Sequence, residues 1–357
     1  MAFERGEKEM SKTVLHVNFA KGFRGGERQT LLLLQELSHK GYTQTLLTRR
    51  HAELAKKVSA LALENVVIIE VKKPYLLSLS LLKKADLVHA HETKAAQFAF
   101  LGHLFFKTPY IITRRVDNAI KNNGFTRAMY RYAHKTVVLS RAILEEVKKI
   151  EPRANLSIIP SAFSKLSVSP HEVEKIKERF SGQFVIGNIG ELDNDHKGQY
   201  YLIEAMKELL PRYANMHLLF LGKGKDEEAY KAQASSLKNV TFEGFVSNVG
   251  DYIATFDLFV FPSLREGLGS ILLDVMQAKV PIVASNAGGI PDVICHEKNG
   301  LLVAPKDVSA LAEAIERLYL DKTLREQLIE SAFQDVDLFS PEKMAERYAA
   351  LYAEVLG

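Results

Sequence analysis

The chain has 357 residues, 47% of them hydrophobic and 25% charged, with 21 Gly, 11 Pro and a single Cys. Those values exclude a disordered chain, a coiled coil and a collagen-like repeat, and the length exceeds what one core fills, so two domains are expected. The net charge of +4 is a balance of opposites: residues 1–165 hold 28 Lys and Arg against 14 Asp and Glu, whereas residues 166–357 hold 19 against 29. In chain order, the first eleven residues (MAFERGEKEMS) are charged and lack the apolar core of a signal peptide. They are expected to be a loose tail, with Met10 a second candidate start. Short apolar, β-rich runs then alternate with helix-length segments. The expected strands are Val14–Phe19, Thr43–Leu47, Val66–Val71, Leu87–Ala90, Tyr110–Thr113, Thr136–Leu139 and Leu156–Ile159. Glu27–Lys40 carries Leu31, Leu34 and Leu37 on one helical face. A Ser-rich stretch ending in proline, Ser161–Pro170, marks the junction. A second series follows: Phe184–Ile189, His217–Leu221, Val240–Phe242, Leu258–Phe261, Pro281–Ala284 and Leu301–Val303. The chain closes in three helices, Asp307–Leu320, Thr323–Gln334 and Pro341–Leu356, the last with proline in its first turn.

Strand–helix alternation implies parallel sheets built from right-handed crossovers, with ligands at the carboxyl ends of the strands. The expected fold class is α/β, two doubly wound domains. No apolar run reaches the length of a membrane span, since Phe98–Phe106 is too short and is interrupted by His103. Cys295 stands alone, which excludes an intrachain disulfide and a cysteine-based metal site, and it reads as a small core residue. These features point to a soluble cytoplasmic protein. The basic half suits an anionic lipid, a nucleic acid or a phosphorylated substrate. Its cations are spread over many elements and not interleaved with aromatics, which argues against nucleic acid.

Three stretches could carry chemistry. In Phe261–Ile294 a strand ends at Pro262-Ser263, and Arg265-Glu266-Gly267 leads into a helix from about Leu268. Glu266 thus sits where side chains and helix amides converge on ligands. Asp274 lies two turns into that helix, and both acids could grip hydroxyl-rich groups, although solvated surface acids share the spacing. Gly288-Gly289 in SNAGGIP would let backbone amides approach an anion, or would form an ordinary turn. Gly187–Gly198 follows the first strand of the second series and offers Lys197 to a phosphate. LGKGKDEE has Gly222 and Gly224 but Glu227 where a third glycine is needed, so the dinucleotide fingerprint fails. Asp193-Asn194-Asp195 fits a metal-binding D-x-D, or a polar loop that starts a helix.

Lys197-Gly198, Gly244-Phe245-Val246, REGLGSILLD, GGIPDVI and Asn299–Val303, in this order, resemble the family 4 glycosyltransferases of the GT-B fold. The resemblance is dense over 184–305. It is looser in the first half, through Gly25-Gly26 and His89-Ala90-His91. It implies an acceptor domain over 1–165, a nucleotide-sugar domain over 166–340 and a last helix, 341–357, crossing back onto the first domain. By resemblance Glu266 and Asp274 match the E-x7-E acids on the donor sugar and ribose, and Lys197 matches the lysine on the diphosphate. Gly26 and Gly190 match the glycine loops near the phosphates, and His91 the histidine near the reacting sugar. The backbone of Phe245-Val246 would hold the base, and the Gly267-Leu268 amides the sugar or phosphate. Glu191 stands where the family often has a diphosphate-binding Arg, so Arg24, Arg114 and Arg115 are candidate substitutes from the facing domain. Asp292 replaces the commoner Glu, with little consequence expected.

The resemblance therefore implies a retaining hexosyltransferase that takes a nucleotide-diphosphate sugar, UDP-linked, as substrate and needs no cofactor or metal. Glu266, His91 and Lys197 would carry the reaction. The acceptor would be a glycan or glycolipid, lipopolysaccharide core above all. The basic first domain would associate peripherally with the anionic inner face of the cytoplasmic membrane. An epimerase or phosphorylase on the same fold, and a catalytically inactive nucleotide-sugar binder, stay open as alternatives.

Overall fold

The computed structural model describes residues 13–357, so the expected loose tail and the Met10 start lie outside the described residues. The first unit is a seven-stranded sheet: β1 Thr13–Asn18, β2 Thr43–Arg49, β3 Val66–Val71, β4 Leu87–Ala90, β5 Tyr110–Arg114, β6 Lys135–Val138 and β7 Leu156–Ile158. The second holds six: β8 Phe184–Ile189, β9 Met216–Leu221, β10 Val240–Gly244, β11 Leu258–Phe261, β12 Ile282–Ser285 and β13 Leu301–Val303. The pairing within both sheets is parallel throughout, in the orders β3-β2-β1-β4-β5-β6-β7 and β10-β9-β8-β11-β12-β13. Each expected strand is present within two residues of its expected bounds. Their apolar, β-branched composition suits strands covered on both faces by helices.

Strand order reverses between β1 and β4 in one sheet and between β8 and β11 in the other. The crevices outside these two switch points are where a doubly wound sheet binds ligands. The two units belong to one connected body, because a single apolar cluster contains Val17, Ile112 and Ile143 from the first unit and Phe259, Leu272 and Ile290 from the second.

The connection between the units is pinned at both crossings. Ala162 and Gln29 exchange hydrogen bonds, and the Phe163 amide donates to the Phe339 carbonyl at 3.0 Å. The chain thus leaves the first unit beside the point where it returns. The helix Pro341–Leu356 then buries Met344, Tyr348, Leu351 and Tyr352 against Val14, Leu33, Leu87 and Ile111 of the first sheet and its flanking helix.

Three local features depart from expectation. The helix after Glu266 starts at Ser270, because Gly269 caps it in the left-handed region at φ +82. Tyr75–Lys84 forms a 3-10 segment that was not expected, since YLLSLSLLKK has no clear helical periodicity. Cys295 is exposed and not a core residue: it sits on the turn closed by Asn299, whose Oδ1 accepts from its amide at 2.7 Å.

Candidate functional site

The two switch points face each other across a cleft. One part of it, about 400 Å³, is lined from the first unit by Gly26, His91, Thr113 and Arg115 and from the second by Glu266, Leu268 and Ser270. A second part, about 500 Å³, is lined by Arg24, Gly190, Glu191, Lys223, Phe245 and Val246. Between them a smaller cavity, about 210 Å³, reaches Asp274 and shares Gly25 and Ser270 with the first and Ile189 and Val249 with the second. The expected donor-site residues therefore gather along one cleft, although they are spread over some 250 residues of sequence. Gly267 is the exception. It is buried where the units touch, and a Cβ there would lie 2.4 Å from the Arg115 carbonyl oxygen.

Glu266 and Lys197 meet directly, Nζ to Oε2 at 2.6 Å, with side chains 19% and 24% exposed. Lys197 also lies over the Phe261 ring, 5.6 Å from its centre. Backbone contacts explain why the two coincide. Leu264 donates to the His196 carbonyl at 2.8 Å, which ties the Glu266 loop to the Lys197 loop. Gly198 is left-handed (φ +66), and a Cβ there would fall 2.1 Å from the Pro262 carbonyl oxygen. Only glycine lets the loops close this far. The Gly288-Gly289 turn packs against the same loop, and the Gly289 amide donates to the Glu266 carbonyl at 2.8 Å. The Gly289 amide thus positions Glu266 and does not face an anion.

Asp274 is buried and accepts from the Ser164 amide at 2.5 Å. Burial pushes its carboxyl up to about 6, against an ordinary 3.8, with the Ser164 amide and the Arg28 charge opposing the shift. The three candidate substitute cations separate. Arg24 reaches across the cleft to Glu191, Nη1 to Oε2 at 3.3 Å. Arg114 turns into its own unit, towards Tyr130 and the Asn118 carbonyl. Arg115 contacts His91, Nη2 to Nδ1 at 3.4 Å. Phe245 is 79% exposed beside the cavity that holds Gly190 and Glu191, as a surface that stacks on a flat ring would be.

Asp193 and Asp195 both pair with Lys225, at 3.3 and 2.5 Å, so the D-x-D carboxylates are committed to a lysine. Asp292 does more than expected: it accepts from the Arg141 amide at 2.6 Å and from its Nε at 2.5 Å, joining the two units.

Four groups near the cleft went unrecognised in the sequence: Arg28, Lys223, Ser164 and a buried network around His91. His16, His89 and His91 bring a nitrogen each within 4.8 Å of one another and so could face a metal ion. The donor set fits a metal poorly. Both His89 nitrogens are hydrogen-bonded at 2.6 Å, to Tyr352 and Thr113, and the permanent charge of Arg115 abuts His91. Burial holds His16 down to about 3 and both other imidazoles well below their usual range, with their mutual charges adding to the effect. The one signal in the sequence was a histidine inside an otherwise apolar strand, VLHVN.

Residues 171–335 match the family described as Glycosyl transferases group 1. The capsular polysaccharide biosynthesis glycosyltransferase CapM of Staphylococcus aureus is 28% identical over 196 residues, 53% of this chain and 51% of CapM. The lipopolysaccharide core biosynthesis glycosyltransferase LpsE of Rhizobium meliloti (strain 1021) is 25% identical over 351 residues, 95% of this chain and 98% of LpsE. The chain spans about half the length of several curated relatives that it matches. HepE of Anabaena, solved in complex with UDP, superposes with a TM-score of 0.85 over 96% of this chain and 100% of HepE, at 17% identity. Residues 171–335 are thus similar to the group 1 glycosyl transferases, and the two units together have the GT-B fold.

Proposed function

We propose that this chain is a retaining glycosyltransferase of family 4 that moves a hexose from a UDP-sugar to a cell-surface glycan, with lipopolysaccharide core as the acceptor. The Lys197–Glu266 pair carries this reading. It puts a cation for the leaving diphosphate and a carboxylate for sugar hydroxyls side by side, between the Phe245 cavity and the His91 cavity.

As the glycosidic bond breaks, negative charge gathers on the diphosphate. Lys197, the amides at the start of the helix Ser270–Gln277 and Arg24 from the facing unit supply the opposing charge, so no metal is invoked. Arg24 also neutralises Glu191, which answers the repulsion that a carboxylate would exert on phosphate. No carboxylate stands as an obvious nucleophile, so attack proceeds on the face that the diphosphate leaves, with the diphosphate taking the acceptor proton. Closure of the two units excludes water and limits hydrolysis of the donor.

The UDP complex of HepE supports the donor, and the near full-length match to LpsE supports the acceptor. CapM favours a second acceptor class, a capsular polysaccharide. Release of UDP from a UDP-hexose that rises only when acceptor is added would separate transfer from epimerase or phosphorylase chemistry. Wild-type rates in both Glu266→Ala and Lys197→Ala would contradict the assignment.

A membrane-bound acceptor fits the surface of the first unit. The 3-10 segment Tyr75–Lys84 packs on the helix Thr93–Phe106, and the two expose Leu77 (82%) and Phe105 (71%) among Lys73, Lys83, Lys84 and Lys107. No acid occurs in 71–85 or 93–107. No described helix is long and apolar enough to cross a membrane, so attachment would be peripheral. Flotation with phosphatidylglycerol vesicles should succeed at low salt and fail at about 0.5 M salt. Flotation that is unaffected by salt would contradict the electrostatic part.

A further inference from the structure

The transfer reading leaves His16 and His89, the buried imidazoles behind the cleft wall, without a role. His16 and His89 are register partners on β1 and β4, and His91 follows two residues later, so all three project from one face of the sheet. His91 lines the cleft, whereas His16 is fully buried behind it. His91 Nε2 lies 2.9 Å from His16 Nδ1, and the two rings stack at 5.2 Å and 18°. The other His91 nitrogen, Nδ1, faces Arg115. The remaining neighbours are the His89 ring at 3.9 Å and, beyond it, Tyr348 and Tyr352 from the C-terminal helix.

One member of this chain fixes its direction. A guanidinium only donates, so the His91 nitrogen facing Arg115 is an acceptor. A neutral imidazole with an accepting Nδ1 carries its proton on Nε2 and donates it to His16 Nδ1. His16 must then hold its own proton on Nε2. Gln44 is compatible with that assignment: its Nε2 donates to the Leu34 carbonyl at 2.9 Å, and its Oε1, like His16 Nε2, is buried with no hydrogen-bond partner among the described residues. Both protons run the same way, from Arg115 to His91 and from His91 to His16.

We propose that His16 is a positioning residue that locks His91 as its Nε2–H tautomer, so that His91 offers the cleft only an accepting Nδ1. Burial keeps the rings neutral, which such a chain requires. In the proposed donor site, on which this consequence rests, His91 Nδ1 recognises a sugar hydroxyl by accepting its hydrogen bond in place of the long 3.4 Å contact with Arg115. It cannot serve as a general acid there, and Arg115 is the donor at its side.

The test is the tautomer itself, read by long-range proton–nitrogen correlation on the full chain labelled with nitrogen-15 histidine. His91 is assigned by difference from His91→Gln. The wild-type protein should show a pyridine-type Nδ1 and a pyrrole-type Nε2 for His91 at pH 7.5. His16→Phe removes the acceptor, and the single-tautomer signature should be lost. His16→Asn places an oxygen near the former Nδ1 and should restore it, whereas His16→Gln, whose oxygen sits nearer the former Nε2, should not. If His16→Phe does not fold, the Asn and Gln variants carry the comparison. A wild-type His91 protonated on Nδ1, or a signature unchanged in His16→Phe and His16→Gln, would overturn the proposal. None of these spectra needs a nucleotide sugar, so this proposal and the transfer reading fail separately.

Discussion

Replacing Lys197 by alanine separates the ion pair that the structure gives to this side chain from the diphosphate contact proposed for it. In the unliganded protein its ammonium balances Glu266 at 2.6 Å with both groups about one-fifth exposed. A charged hydrogen bond of this kind contributes about 1.5–3 kcal/mol. Glu266 can turn towards water once its partner is gone, so we expect the lower end, a fall in Tm of a few degrees. In the proposed donor complex, the same ammonium would face the diphosphate. Losing one charge-assisted contact there weakens UDP-glucose binding by about tenfold to a hundredfold. Losing a group that opposes charge developing in the transition state costs about 2.7–4 kcal/mol, or about a hundredfold to a thousandfold in transfer rate. Adding Glu266→Gln distinguishes the two roles. The double variant should regain the melting temperature, because no unpaired carboxylate remains, but not the affinity for UDP-glucose. Calorimetric titration and thermal melts on four proteins complete the cycle. If Lys197→Ala melts lower yet binds UDP-glucose within about twofold of wild type, Lys197 is only the partner of Glu266 and the donor-site reasoning is wrong.

Asp274 gives a pH-dependent prediction. Its folded carboxyl is raised to about 6, so its ionised form is a cost that is absent below about pH 4, grows between 4 and 6 and is complete above. Asp274→Asn keeps an acceptor for the Ser164 amide and should stabilise the protein by about 2–3 kcal/mol at pH 7.5 and hardly at all at pH 4, measured by denaturant titration. The histidines act in the other sense. Buried His16, held down to about 3, loses about 2 kcal/mol of stability at pH 5 relative to pH 7.5, and His89 and His91 add to it. Unfolding free energy should therefore fall steeply below pH 6, and a flat profile from pH 7.5 to 5 would contradict the buried neutral network. Asp292→Ala should cost little stability, about 1 kcal/mol or less because Arg141 is largely exposed. It should nevertheless speed hydrogen exchange at the Arg141 amide, which loses its acceptor.

Much of the fold was legible because each strand is an apolar run closed by a turn, and that pattern is local. The loops bearing Lys197 and Glu266 were legible for the same reason, being strand-to-helix connections with glycine at the bend. Their mutual pairing was not, since 69 residues separate them and the contact depends on Gly198 backing onto Pro262. The partner of Glu191 was equally hidden, because Arg24 comes from the opposite unit. Composition misled at Cys295, where the usual burial of a small sulfur side chain gives way to a tight turn. His16 was passed over because one histidine in an apolar strand resembles a satisfied core residue. Its importance depends on β1 lying beside β4, which sheet order reveals and spacing along the chain does not.

The central claim, a nucleotide-sugar site formed around Lys197 and Glu266, is tested most directly by calorimetric titration of the wild-type protein and Lys197→Ala with UDP-, GDP- and ADP-hexoses. The wild-type protein should bind a UDP-hexose saturably, with the affinity reduced at least about tenfold in Lys197→Ala. Absence of binding by all three donors, or equal affinity in the two proteins, would contradict it.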